Sequence, residues 1–300
     1  MNRKKWIALL SAGIVCTGLL AGCGGTGGDS NGGAQPSGEN KGTVTIGYVN
    51  WSEGIAMTNL VDAVLQDKMG YQVEKTMTDA APLFASMASG GTDVFLDAWL
   101  PVTHEMYMSK YGDDLEDLGI NYENAKIGLV VPSYVNIDSV EDLNGVKDTF
   151  DGTIVGIDSG AGIMSTTSTA IEEYGLDYEL MPGSGPTMTA ALKKDIDAEE
   201  PIVVTGWTPH WMFARWDLKF LDDPKNVYGT AEYIHTVARK NFSTDMPEVA
   251  AFLNRFSMTA DQLGDLMGVI ENDTSGKDPV DLARDWISQN EDLVDSWLAS

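Results

Sequence analysis

Two hydrophobic periods alternate along this chain from residue 44 onward. "VTIGYVN" (44–50) reads as a strand. Ile55, Met57, Leu60, Val61, Val64 and Leu65 fall at helical spacing over 54–70, with Gly70 as a stop signal. "YQVEKTMT" alternates as a strand, "APLFASMASG" predicts a short helix, and "DVFLDA" the next strand. That order predicts an α/β sheet with parallel members. The apolar strand "KIGLVVP" (126–132) carries the chain onward, and the pattern restarts with strand "TIVGID" (153–158) and helix "GIMSTTSTAIEEYG". Strand "YELMP", helix "PTMTAALKKDIDAEE" and strand "PIVVTG" follow. "EYIHTVARK" (232–240) predicts a second crossing strand, and Met-, Leu- and Phe-rich helices complete the chain. The expectation is two parallel-sheet α/β lobes, 43–131 plus 236–300 and 132–235, joined by two crossover strands with a ligand cleft between them.

Residues 1–42 follow neither period. Arg3, Lys4 and Lys5 precede an apolar run over 6–20, too short for a comfortable membrane span and suited to a signal peptide. The run ends in Leu20-Ala21-Gly22-Cys23, which resembles a bacterial lipoprotein signal. That likeness implies removal of residues 1–22 and acylation of the Cys23 thiol, so the protein is expected outside the cytoplasm, anchored to the cell membrane. An ordinary secretory signal is the other reading. Residues 24–42, "GGTGGDSNGGAQPSGENKG", are too poor in apolar side chains to order themselves and read as a flexible tether.

Composition narrows the chemistry. Cys16 and Cys23 are the only cysteines, so no disulfide framework or cysteine-based metal site is expected. Without Arg3, Lys4 and Lys5 the chain has 16 basic against 45 acidic residues, a net of about −29, which repels nucleic acid. Most of these acids read as solvated surface. With three histidines and no GxSxG, HExxH or Walker A motif, metal and triad chemistry are short of parts, and no cofactor is expected.

Three strands finish in tryptophan at the edge where open α/β sheets bind ligands: at Trp51, Trp99 and Trp207. Each is followed by a breaker, Gly54, Pro101 or Pro209. Two come from the first lobe and one from the second, so closure would bring the rings together. Converging indole faces suit a quaternary ammonium, which has no N–H to donate. Trp211, Trp216, Trp286 and Trp297 lie in helix-like segments and read as packing residues. For an anionic group at the other end of such a ligand, "IDSGAGIMS" (157–165) offers a glycine turn into a helix start, where Gly160 and Gly162 permit close backbone approach. His104, five residues past Trp99, could add a donor; His210 and His235 read as structural. Gly160-x-Gly162-x-x-Ser165 also leaves open an NAD(P)-binding oxidoreductase, although the match to the dinucleotide fingerprint is incomplete. An amino-acid-binding protein is a further alternative, but none of Arg215, Arg239, Arg255 and Arg284 stands at a strand's carboxyl end to clamp an α-carboxylate.

"GIDSGAGIMS", "VTGWTPHWMF", "FLDDPKNVYG", "IHTVARK" and "DAWLPVTH" together resemble the glycine betaine-binding lipoproteins of osmoprotectant ABC importers, over residue 43 to near the C-terminus. The resemblance implies a two-lobed type II periplasmic-binding-protein fold, no enzymatic activity, and an ABC permease with its ATPase as partners. Some members are circularly permuted; this chain begins with the "YVNWSEG" lobe. By motif, Trp51, Trp99 and Trp207 would cage the quaternary ammonium of glycine betaine or proline betaine, with carnitine or choline as alternative ligands. The amides of Gly162 and Ile163, with the His104 side chain, would hold the carboxylate.

Overall fold

Both hydrophobic periods are realised over residues 41–299, which the computed structural model describes. The signal peptide, Cys23 and nearly all of the tether lie outside the described residues. In the first part of the chain, strand β1 (Thr43–Tyr48) leads to helix α1 (Ser52–Val64), which ends in a wider turn, Leu65–Met69, stopped by Gly70 at φ 80°. Then come β2 (Gln72–Met77), α2 (Ala80–Ala88), β3 (Val94–Leu100) and α3 (Glu105–Tyr111). Strand β4 (Leu115–Pro132) leads into a second series: β5 (Thr153–Val155), α4 (Gly162–Tyr174), β6 (Glu179–Met181), α5 (Gly185–Asp197) and β7 (Val204–Thr208). A short helix α6 (Met212–Arg215) and strand β8 (Leu218–Phe220) precede β9 (Glu232–Arg239). Five helices close the chain: α7 (Phe242–Asp245), α8 (Pro247–Arg255), α9 (Ala260–Glu271), α10 (Pro279–Ile287) and α11 (Glu291–Leu298).

The strands run in the order β2-β1-β3-β9-β4-β7-β5-β6, with β8 beside β4. β1 is parallel to β2 and β3, and β5 is parallel to β6 and β7, as the strand–helix alternation predicts. The crossing strands make the sheet mixed: β9 runs antiparallel to β3 and β4, and β4 antiparallel to β7 and β8. β4 is also far longer than the apolar stretch 126–132, because polar residues 115–125 pair along β9 despite their broken alternation.

Tertiary pairing moves two strand ends past the expected stops. β3 continues through Trp99 because Trp99 pairs with Ile234 and Leu100 with Tyr233. β7 likewise includes Trp207, which pairs with Ile127. "TIVGID" is a strand only over Thr153–Val155, since the backbone leaves the ladder at Gly156 to form the glycine turn.

One core runs along both halves of the sheet, with Ile154, Val203, Val204 and Leu192 fully buried in the second half. Val44, Ile46, Val94, Phe95 and Leu96 are fully buried, each such side chain contributing about 1.5–3 kcal/mol by leaving water. α1 is buried on nearly every face because α9 and α10 cover the side turned away from the sheet. That burial takes Asp62 with it, and Lys75 on β2 pairs with it at 2.7 Å. Trp286 and Trp297 are packing residues, as their helical settings suggest.

Candidate functional site

The six ligand residues expected from the sequence meet in one place. Trp51, Trp99, Trp207, His104, Gly162 and Ile163 all line one tightly closed cavity of about 20 Å³. Trp51 stands at the start of α1, Trp99 and Trp207 are the next-to-last residues of β3 and β7, and all three are buried. The walls therefore come from both halves of the sheet. The peptide bonds Leu100–Pro101 and Thr208–Pro209, just beyond two of the indoles, are both cis.

Each indole N–H is satisfied by an acidic side chain. Trp51 donates to Asp158 Oδ2 at 3.2 Å, Trp99 to Asp97 Oδ1 at 2.8 Å, and Trp207 to Glu53 Oε2 at 2.9 Å. Two of these bonds join distant parts of the sequence, from α1's start to the glycine turn and from β7 to α1. Burial pushes the Glu53 carboxyl up to about 8, and pushes Asp97 well above the ordinary carboxylate range, reinforced by the charge of Glu53. Burial raises Asp158 as well.

His104 is fully buried between Trp51, stacked at 5.8 Å, and Phe84, edge-on at 5.4 Å. Its Nδ1 accepts the Trp99 backbone N–H at 2.9 Å, and Nε2 has no partner among the described residues. Burial lowers its pKa to about 3, so the ring is neutral and Nε2 carries the proton.

The glycine turn supplies further donors. α4 begins at Gly162 with no side-chain cap, and no acceptor for the Gly162 or Ile163 N–H is found among the described residues. A helix start of this kind favours an anion. A Cβ at Gly162 would overlap the Thr103 carbonyl, so only glycine lets these two loops touch. Gly160 contributes its carbonyl, which accepts the Tyr107 hydroxyl at 2.6 Å.

Around these residues stand some that sequence reasoning missed. Glu53, Thr103, Ile127, Ile157 and Ala161 complete the lining, and Asp97 and Asp158 hold indoles. A signal existed in "WSE" and "DAW", where an acid stands two residues from a tryptophan, but it is hidden among 45 acidic residues. Glu232, buried at the start of β9, accepts the N–H groups of Val102 and Thr103 at 2.6 and 2.8 Å and the Thr103 hydroxyl, and so anchors the loop that leads to His104.

A larger groove of about 320 Å³ shares Trp51 and Trp207 with this cavity. There Trp211 and Trp216 flank α6 and carry the Arg215 guanidinium at 5.6 and 5.5 Å, a role beyond the packing expected of them. His210 packs edge-on against Trp207 at 4.8 Å and is held neutral by burial, while His235 pairs with Asp117. The groove lacks Trp99, His104 and the α4 start, so the smaller cavity is the candidate site.

A mixed α/β sheet whose two halves contribute aromatic walls and main-chain donors to one small cavity defines a solute-binding protein of the periplasmic type. The chain belongs to the family of substrate-binding domains of ABC-type glycine betaine transport systems, which matches residues 42–289. It is 49% identical over 148 residues to the glycine betaine/carnitine transport binding protein GbuC of Listeria monocytogenes serotype 1/2a (strain 10403S). That match covers 48% of this chain and 48% of the relative, so it spans about half the length of the Listeria protein. Among solved structures, lactococcal OpuAC in a closed, glycine betaine-bound conformation superposes with a TM-score of 0.81 at 38% identity, covering 86% of this chain and all of that one. The glycine betaine/L-proline-binding protein ProX of Borrelia burgdorferi gives 0.82 at 36% identity, with 86% and 97% covered.

Proposed function

We propose that this chain is a lipid-anchored, non-enzymatic receptor that captures glycine betaine, and also proline betaine, and delivers it to an ABC permease powered by its ATPase. Trp51, Trp99 and Trp207 surround the trimethylammonium head. At about 2 kcal/mol per desolvated cation–π contact, three contacts supply on the order of 6 of the ~8 kcal/mol that micromolar binding requires. The Gly162 and Ile163 amides and the His104 Nε2–H take the carboxylate and supply the remainder. Two lobes, 43–131 plus 236–300 and 132–235, close on a ligand that touches both, which couples affinity to conformation. Cys23 carries the lipid that keeps the receptor at the outer face of the cell membrane.

One observation carries this reading: all three indole N–H groups are already satisfied by carboxylates. The rings therefore present apolar, electron-rich surface and no unpaired donor, which suits a methylated cation that neither donates nor accepts. Calorimetric titration with glycine betaine, proline betaine, carnitine and choline, beside a thermal-shift assay with NAD and NADP, tests it. Saturable 1:1 binding of the betaines is expected, with no nucleotide shift. Silence from every methylated ammonium compound, or a saturable nucleotide shift, overturns the reading.

A further inference from the structure

The two buried acids nearest the cage have no basic partner among the described residues. Glu53, in the first turn of α1, is 1% exposed and accepts the Trp207 indole N–H and its own backbone N–H. Asp97, on β3, is also 1% exposed; its Oδ1 accepts the Trp99 indole N–H, and its Oδ2 has no partner. Asp97 Oδ2 lies against the start of α1, where a Cβ on Gly54, the residue after Glu53, would stand 2.6 Å from it, and the charge of Glu53 reaches Asp97. Two carboxylates this dry, placed together without lysine or arginine, do not both ionise.

We propose that Glu53 and Asp97 are the specificity-determining counter-charge of this site: the two buried carboxyls share one proton in the ligand-free protein and release it to solvent when a permanently cationic head enters the cage. The inference rests on the betaine reading above and deepens it. A quaternary ammonium cannot lose its charge, so it compensates the second carboxylate that the empty site keeps neutral. Ionised acceptors on the indole N–H groups also make the ring faces more negative, strengthening their hold on the cation.

The surrounding titratable groups leave that role to the pair. Tyr122 on β4 feels the field of Glu53, and its phenol is pushed up chiefly by burial. His104 and His210 are both held neutral by burial. Asp158 is engaged with Trp51, and Lys75 is paired with Asp62, nine residues further along α1. Glu53, raised to about 8, places the transition in an accessible pH range.

Calorimetric titration of the whole folded domain with glycine betaine, from pH 6 to 9 in two buffers of different ionisation enthalpy, tests the proposal. Near pH 7 the two buffers should report net proton release, and affinity should tighten at least threefold between pH 6 and pH 8 before levelling. Glu53→Gln and Asp97→Asn, whose amide oxygens still accept an indole N–H, should each flatten the profile and remove the buffer dependence. The analogue 3,3-dimethylbutyrate, which keeps the carboxylate but replaces the trimethylammonium by a neutral tert-butyl head, should release no proton from the natural protein. Betaine affinity that stays flat with pH, with heats independent of buffer, overturns the counter-charge and leaves the cage standing, as does equal proton release by the analogue. No betaine binding at any pH removes both.

Discussion

The backbone N–H of Trp99 donates to Nδ1 of His104 across 2.9 Å, so one cage residue sets the tautomer of the neighbouring imidazole. The proton is thereby left on Nε2, the only side-chain nitrogen of the cavity lining with no partner among the described residues. A hydrogen bond from it to a charged carboxylate is worth about 1.5–3 kcal/mol. His104→Leu should weaken glycine betaine roughly tenfold or more and change choline, which has no carboxylate, far less. Equal losses for the two ligands in paired titrations would remove His104 from the anion end.

Trp99→Ala removes one aromatic wall together with the partner of Asp97 Oδ1. With a desolvated contact worth about 2 kcal/mol, betaine affinity should fall ~30-fold or more. Unchanged affinity in the variant would count against the cage.

Gly162→Ala places a methyl where the Thr103 carbonyl stands. The α4 start and the loop before His104 must then separate. Betaine binding should drop at least tenfold, accompanied by a lower Tm. Native affinity by calorimetry would show that close contact between these loops is dispensable.

Glu232 acts at one remove from the ligand. Glu232→Ala leaves the N–H groups of Val102 and Thr103 without their acceptor, at about 1–3 kcal/mol for the buried Thr103 group. A lower urea midpoint and weaker betaine binding should appear together, with Glu232→Gln milder on both. A normal midpoint in the alanine variant would refute the anchoring role.

Burial holds His104 and His210 as neutral rings with pKa values lowered to about 3. Their contribution to stability is therefore fully present above the unfolded histidine value of ~6.5 and is lost as pH falls toward about 3. Tm should decline through that acid window, and His210→Gln should shallow the decline. A Tm unchanged between pH 7 and pH 4 would contradict it.

Much of this was legible in the sequence because it rests on local signals. Gly70 stops a helix where expected, at positive φ, and Trp99 and Trp207 sit at strand ends and lead to the cavity, whereas Trp51 lies beyond the end of β1 and opens α1 instead. The first stretch of β4 was hidden because its order comes from pairing with β9 and not from its own pattern. Glu53 and Asp97 were hidden for a related reason. Their burial follows from packing between α1, β3 and β7, and no spacing rule separates a dry carboxylate from a solvated one.

The long strand β4 belongs to both halves of the sheet, pairing with β9 along its first part and with β7 and β8 along its last. It is no stiff beam. Its register against β9 shifts between Asp117 and Gly119, Ile120 and Tyr122, and Glu123 and Ala125, and Asn124 takes a left-handed φ of 62° just before the change of partner. Such irregularities bend and twist a strand without cutting its ladder. On the proposed closure of the two lobes, this seam would act as an articulated spine, bending at its irregular steps while its remaining hydrogen bonds hold the two halves in register.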